Sequence, residues 1–217
     1  MSTDKQQSAP QKERTFFYSL CRALSAFLGA TFFPVRYHHR ENLTAKAPCI
    51  LISNHQSWLD PLTLAVLYKD KQIRFVGKKE LTQSKFGAWA LDQLHMITVD
   101  RHNSDLNAMR LCMRALRDGH VLGIFPEGTR HLPDLMSQVE TGTAVLALRA
   151  KVPLQPVYID SKRRFLRVCH AYVGQPMDIS DLCDQGYDAG VVEQLTARIR
   201  DTFLNMRDET QAEKKQA

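Results

Sequence analysis

Short apolar runs alternate with longer helical patterns over most of the chain, and this alternation restricts the fold more than any other feature of the sequence. The runs are rich in valine and isoleucine and have the length of buried strands. They lie at 50–53, 73–77, 96–99, 121–125, 154–159 and 166–173. Predicted helices lie at 61–68, 84–94, 104–118, 143–150 and 188–207. Strands separated by helices predict an α/β fold with a mostly parallel central sheet flanked by helices.

Two polar segments come directly after predicted strands. NHQSWLD follows the run at 50–53, and PEGTRH follows the run at 121–125. In parallel sheets, reactive groups collect beyond the carboxyl ends of the strands. We therefore expect these segments, which are distant in the sequence, to face a common crevice.

The composition narrows the class of protein. A chain of 217 residues fits one domain with short terminal extensions. Its formal net charge of +6 favours an anionic partner, which could be nucleic acid, an anionic membrane or a phosphorylated molecule. A nucleic-acid partner is not expected, because the chain lacks a basic and aromatic strand signature and a recognisable reading helix. The cysteines are scattered without a C-x-x-C pair, which argues against a zinc site and favours a reducing compartment.

The predicted domain covers residues 35–207, and the polar ends at 1–14 and 208–217 are expected to be disordered. Between the N-terminal end and the domain, apolar residues recur at helical spacing over residues 15–34, with Arg22 on the opposite side. This pattern predicts an amphipathic helix that lies in one membrane leaflet, although a helix packed on the protein's own core would show it too. Neither a signal peptide nor a complete span is expected, since no cleavage site follows and Arg22 would lie near mid-membrane.

His55 and Asp60 form the first candidate catalytic pair. If the segment between them were extended, the two side chains would be separated by about 17 Å. Pro61 cannot continue a central strand and suits the start of a helix, so a turn is expected. In a turn, Asp60 can hold one imidazole nitrogen and leave the other to accept a proton. The alternative is a histidine in a turn, followed by an aspartate that only caps a helix.

The segment FPEGTRH has the features of a phosphate-binding loop. Gly128 lets the backbone approach a ligand closely, and Arg130 offers a planar fork suited to phosphate. Glu127 could hold Arg130 or hydrogen-bond the substrate. Taken alone, the segment could also be a turn with a surface salt bridge. Beside His55, however, a phosphate clamp predicts group transfer to a hydroxyl of a phosphorylated molecule.

The chain resembles the glycerolipid acyltransferases, and especially the 1-acylglycerol-3-phosphate acyltransferases. The resemblance extends over about residues 35–176, through NHQSWLD, a K-x-E-L segment leading to an Asp-Arg pair, FPEGTR and VPLQPV in the family's order. Two departures are visible. His95 stands where the second motif usually has glycine, and VET at 139–141 replaces a segment that usually carries a lysine.

The resemblance implies roles for the residues that match the family's motifs. His55 would be the general base and Asp60 its orienting partner, while Pro153 and Pro156 would shape the acyl-donor side. The residues implied to bind the phosphorylated acceptor are Lys79, Arg101, Glu127, Gly128, Thr129 and Arg130.

The expected reaction moves an acyl chain from a thioester, either acyl-coenzyme A or acyl carrier protein, to a lysophospholipid, foremost 1-acylglycerol 3-phosphate. No cofactor or metal is expected, because a thioester already has a good leaving group. Backbone amides at 54–57 are candidates for the oxyanion hole. The enzyme is expected at the cytoplasmic face of a membrane, as a peripheral or monotopic protein. The alternatives are another acceptor such as lysophosphatidylcholine or glycerol 3-phosphate, a thioesterase, and a non-catalytic lipid-binding module.

Overall fold

A computed structural model describes residues 15–78, 85–99, 106–130, 134–162, 164–186 and 188–216. The predicted acceptor-binding residues Lys79 and Arg101 lie outside these ranges. In the described part of the chain, the strands are β1 (Val35–His38), β2 (Cys49–Ser53), β3 (Ile73–Lys78), β4 (Ile97–Val99), β5 (Val121–Ile124), β6 (Leu154–Ile159) and β7 (Cys169–Val173). The helices are α1 (Phe16–Thr31), α2 (Asp60–Leu67), α3 (Lys85–Gln93), α4 (Leu106–Arg117), α5 (Gly142–Ala150), α6 (Ser180–Cys183) and α7 (Ala189–Gln216).

The strands form one sheet in the order β1-β7-β6-β2-β5-β3-β4. Every neighbouring pair is parallel except β6 and β7, so β1 and β7 run opposite to the other strands. The predicted α/β fold with a mostly parallel sheet is therefore confirmed. Strand β1 was not among the predicted strands, since its four residues are only partly buried and include an exposed arginine.

Strand β2 lies in the middle of the sheet and is buried along its whole length. Its residues alternate between two cores, as the two-residue period of a strand requires. Ile50 and Ile52 join the core formed with α4, α5 and α7. Leu51 joins the core on the other face, beneath α1 and α2. The sheet is thus covered on both faces, which explains why its central strands read as continuous apolar runs.

Helix α7 runs through the tail that was predicted to be disordered at 208–217, and that prediction is wrong for the described part of the tail. The helix keeps a buried face there, because Met206 and Thr210, one turn apart, are almost fully buried. Near its end, Lys214 contacts Asp160, which follows β6. The polar composition of this segment gave no sign of a buried helix face, since the buried positions are few and widely spaced.

Helix α1 confirms that the segment at 15–34 is helical, and it begins after Thr15, whose hydroxyl accepts a hydrogen bond from the Tyr18 amide at 3.1 Å. Its inner face is narrow and includes Tyr18 and Gly29, which are buried. Its large apolar residues point outward and are exposed: Phe16, Leu20, Leu24, Phe27 and Leu28. Among the described helices, none is long and apolar enough to cross a membrane.

Candidate active site

The two motif loops leave the sheet side by side. Strands β2 and β5 are parallel and in register from Cys49 opposite Val121 to Ile52 opposite Ile124. The segments that follow them, 54–60 and 125–130, therefore emerge at the same edge. This is the juxtaposition expected from the carboxyl ends of neighbouring parallel strands.

His55 and Asp60 are in contact at this edge. The imidazole Nδ1 lies 2.9 Å from the Asp60 Oδ2, and Asp60 is completely buried. The same oxygen accepts hydrogen bonds from the amides of Gln56 and Ser57, both at 2.7 Å. Asp60 is the first residue of α2 and makes no capping bond to that helix, whose cap position is Leu59. The aspartate therefore binds the loop before it, and the interpretation as a simple helix cap is wrong.

This contact sets the tautomer of His55. A carboxylate only accepts hydrogen bonds, so Nδ1 carries the hydrogen and Nε2 keeps its lone pair. The imidazole also stacks on Phe125, with ring centroids 4.1 Å apart and planes at 20°. The His55 side chain is 17% exposed. The ring is therefore held by Asp60 and Phe125, and a small part of it remains open to solvent. This is the geometry of a general base.

Glu127 joins the two motif loops through backbone contacts. Its Oε2 accepts a hydrogen bond from the His55 amide at 2.7 Å, and its Oε1 accepts one from the Met136 amide at 3.0 Å. Glu127 is only 5% exposed. Burial raises the pKa of the Glu127 carboxyl, although the two amide hydrogen bonds oppose that shift. Both oxygens thus bind backbone amides, and neither of these bonds is to Arg130. The predicted contact of Glu127 with substrate stays a prediction.

The loop amides at 55–57 are already used by carboxylates. The His55 amide donates to Glu127, and the amides of Gln56 and Ser57 donate to Asp60. An oxyanion hole needs donors aimed at the developing charge of the transition state. The expectation that amides in this segment form the oxyanion hole is therefore wrong for these three residues. Their N–H groups already donate to the two buried carboxylates, which need hydrogen-bond donors.

Asn54 is a structural residue of the site that the sequence analysis did not single out. Its side chain is buried, donates to the Ile159 carbonyl at 2.8 Å and accepts from the Ile159 amide at 2.7 Å. The Gln56 side chain donates to the same carbonyl at 3.0 Å. These bonds fasten the histidine loop to the carboxyl end of β6. The available signal was a polar amide at the end of an apolar strand, where a buried side chain must find partners.

Arg130 stacks on the indole of Trp58, with its guanidinium carbon 3.4 Å from the ring centroid. Trp58, which belongs to the histidine loop, is 67% exposed, so the stack lies at the surface. Gly128 has a φ of 68°, a conformation that favours glycine, and its amide closes a turn onto the Phe125 carbonyl at 3.0 Å. Thr129 continues this turn and is partly exposed. The stack uses the face of the guanidinium and not its N–H edge.

The two prolines of VPLQPV lie in and before β6, the strand next to β2. Pro156 is buried opposite Ile52, close to the histidine loop. Pro153 precedes β6, and its carbonyl accepts from the Ile50 amide at 3.1 Å, at the opposite edge of the sheet. A strand of this length spans roughly 20 Å. The structure therefore does not bring Pro153 close to the histidine loop, and its implied place on the acyl-donor side stays a prediction.

No group of three or more histidine, cysteine, aspartate or glutamate side chains within the described ranges is arranged to hold a metal ion. The site that the described residues form is instead a polar pair, His55 and Asp60, with an arginine and an indole at its rim.

The chain is similar to known proteins in sequence and in fold. A family model described as acyltransferase matches residues 34–160. The 1-acyl-sn-glycerol-3-phosphate acyltransferase of Bacillus subtilis is 30% identical over 175 residues, which are 77% of this chain and 87% of that protein. The enzyme of the same name from Streptococcus pneumoniae is 30% identical over 74% of this chain and 61% of its own length. The crystal structure of PlsC, the 1-acyl-sn-glycerophosphate acyltransferase of Thermotoga maritima, gives a TM-score of 0.64 at 20% identity, over 90% of this chain and 78% of that chain. At that identity, the structural likeness supports the fold alone.

Proposed function

The chain belongs to the acyltransferase family and is an O-acyltransferase, and we propose that it acylates the free hydroxyl of 1-acylglycerol 3-phosphate to give phosphatidic acid. The bacterial relatives named above are named for this acceptor. The observation that carries the proposal is the joining of the two motif loops. Glu127 binds the His55 amide, and Arg130 stacks on Trp58, so a base and a phosphate-binding cation belong to one unit.

The reaction begins with His55 as general base. Its Nε2 takes the proton of the acceptor hydroxyl as the oxygen attacks the thioester carbonyl. The new carbon–oxygen bond forms and the carbon–sulfur bond breaks. His55 returns the proton to the departing sulfur, which leaves as the free thiol. Asp60 stabilises the imidazolium between these steps through its bond to Nδ1. General-base assistance of this kind contributes a factor of about 10²–10⁴ in rate.

Arg130 positions the acceptor by binding its phosphate. A guanidinium forms two parallel hydrogen bonds with phosphate, so it fixes orientation as well as distance. The indole of Trp58 lies against one face of the guanidinium, which leaves the edge with its N–H groups for the ligand. Holding the phosphate beside His55 raises the effective concentration of the hydroxyl at the base.

The proposed enzyme uses a thioester as co-substrate and needs no other cofactor. The donor is acyl-coenzyme A or acyl carrier protein, and the thiolate is a sufficient leaving group without a Lewis acid. We place the reaction at the cytoplasmic face of a membrane, where a lipid acceptor meets a water-soluble donor. The outward apolar residues of α1 support contact with that membrane.

One assay tests the function directly. Purified protein is given each donor type with lysophosphatidate, glycerol 3-phosphate or lysophosphatidylcholine, and the products are resolved by mass. We expect phosphatidic acid from lysophosphatidate and no product from His55→Ala. Equal use of lysophosphatidylcholine would contradict the phosphate-based selectivity, and release of free fatty acid as the main product would indicate a thioesterase.

A further inference from the structure

A tight turn between β6 and β7 presents two large apolar side chains to solvent. Arg164 and Arg167 form an antiparallel bridge, and the Arg167 amide donates to the Arg164 carbonyl at 3.2 Å. Phe165 and Leu166 at its tip are 61% and 63% exposed. Leu166 has a φ of 55°, which is unfavourable for a leucine because of its side chain. A strained turn with an apolar tip is retained only where neighbouring structure supports it.

The end of α1 provides that support. The Leu166 amide donates to the Phe32 carbonyl at 2.7 Å. The rings of Phe32 and Phe165 stack, with centroids 5.8 Å apart and planes at 10°. Phe33 meets the same ring edge-on at 6.0 Å. The turn and the end of α1 are thus fastened together, and their exposed apolar residues belong to one surface.

This surface lies at the catalytic edge of the sheet. The turn follows β6, whose last residue, Ile159, is bonded to Asn54 beside His55. Strands β1 and β7 begin at that edge, because β7 is antiparallel to β6 and β1 is parallel to β7. The segments that precede them, namely the end of α1 and the turn, must therefore emerge on the side of the sheet where His55 lies.

The apolar tip of the turn is surrounded by positive charge. Lys162, Arg164 and Arg167 are exposed around the apolar tip, with no acidic residue from 161 to 168. An apolar tip flanked by cations matches the interface of an anionic bilayer, where side chains enter the acyl region and cations meet lipid phosphates. A second copy of the chain would bring the same cations together, which disfavours self-association through this turn.

We propose that the turn at 164–167 and the end of α1 beside it, at Phe32, form one docking surface for an anionic lipid bilayer, with Phe165 and Leu166 inserted. The surface would hold the catalytic edge against the membrane, so that a lysolipid reaches His55 from the bilayer. That consequence rests on the proposed function, whereas docking itself is measured without any reaction.

The test is co-sedimentation of the full chain with vesicles of phosphatidylcholine containing phosphatidylglycerol. The variant Phe165→Ser/Leu166→Asn removes the apolar tip, and asparagine tolerates the positive φ at 166 better than leucine does. Leu111→Ser, on the exposed side of α4, is the matched control. We expect at least about tenfold weaker vesicle binding for the tip variant and no change for the control.

A second variant removes charge and leaves the apolar contacts in place. Arg164→Gln/Arg167→Gln should bind anionic vesicles about five- to thirtyfold more weakly and bind pure phosphatidylcholine vesicles as before. Wild-type binding by both variants would overturn the proposal. So would a dimer that the tip variant dissociates, measured by analytical ultracentrifugation, since the surface would then join two copies.

Activity on a short-chain lysophosphatidate below its micellar concentration separates this inference from the proposed function. We expect the tip variant to retain wild-type turnover on that dispersed acceptor and to lose turnover on vesicle-bound acceptor. Loss on both acceptors would mean that the turn serves the active site and would overturn the docking role. Failure of the wild-type protein to make phosphatidic acid would instead count against the proposed function and leave the vesicle result standing.

Discussion

The inner and outer halves of the site are built in different ways. The inner half consists of His55, Asp60 and Glu127, and its two acids are buried and bound by backbone amides and the imidazole. The outer half consists of Arg130 and Trp58, which touch each other at the surface through a stacking contact. In the proposed reaction, the chemical step would depend on groups that the fold immobilises, whereas recognition of the acceptor would depend on a surface cation. Substitutions in the inner half should lower kcat or stability, whereas substitutions in the outer half should mainly weaken use of the acceptor.

The largest effect should come from Asp60→Asn in the inner half. A neutral amide does not stabilise the imidazolium as a carboxylate does. If its NH2 group donates to Nδ1, it also favours the wrong tautomer of His55. We expect kcat to fall about 10³- to 10⁴-fold, as in other base-and-carboxylate pairs, with little change in acceptor KM. Steady-state kinetics measure both constants, and Asp118→Asn on the surface is the control. A nearly unchanged kcat would mean that Asp60 only anchors the loop.

Arg130→Ala should have the next largest effect, and it should appear in the use of the acceptor. Loss of a charge-assisted contact to phosphate weakens acceptor use by about 2–4 kcal/mol. The KM for the thioester should stay unchanged, because Arg130 is assigned to the acceptor alone. Varying each substrate separately measures this difference, with Arg114→Ala as control. Equal losses on both substrates would remove the distinction between the two halves.

Glu127→Gln tests whether the inner half is held by its buried acids. Glutamine has one acceptor oxygen where two amides need partners, so one of these amides faces an NH2 group. We expect the free energy of unfolding in urea to fall by about 1–3 kcal/mol. Glu140→Gln, in the same connection and exposed, should change it by less than about 0.5 kcal/mol. A stable Glu127→Gln protein with much weaker acceptor binding would restore the direct substrate role that the family resemblance implied.

The pairing of His55 with Asp60 was easier to predict from the sequence than the contacts that support it, for physical reasons. An apolar strand and Pro61 predict a turn in which His55 and Asp60 can meet. The second motif and the family resemblance then favoured that contact over a simple helix cap. The bonds of Glu127 could not be predicted, since they join amides far apart in the chain. The extension of α7 was missed because helical burial there depends on single residues such as Thr210, which patterns of composition do not detect. Both features depend on contacts between residues far apart in the sequence, which only the three-dimensional structure shows.

Trp58→Leu is the smallest change and tests the outer half most finely. Leucine keeps an apolar contact for Arg130 but removes the ring face, and an exposed cation–π contact contributes about 0.5–1 kcal/mol. We expect acceptor KM to rise about two- to fivefold with kcat unchanged, and Trp58→Phe to recover part of the loss. Trp89→Leu, another exposed tryptophan, is the control. If Trp58→Leu lowered kcat and left KM unchanged, the indole would belong with the inner half, and recognition would depend on Arg130 without its stack.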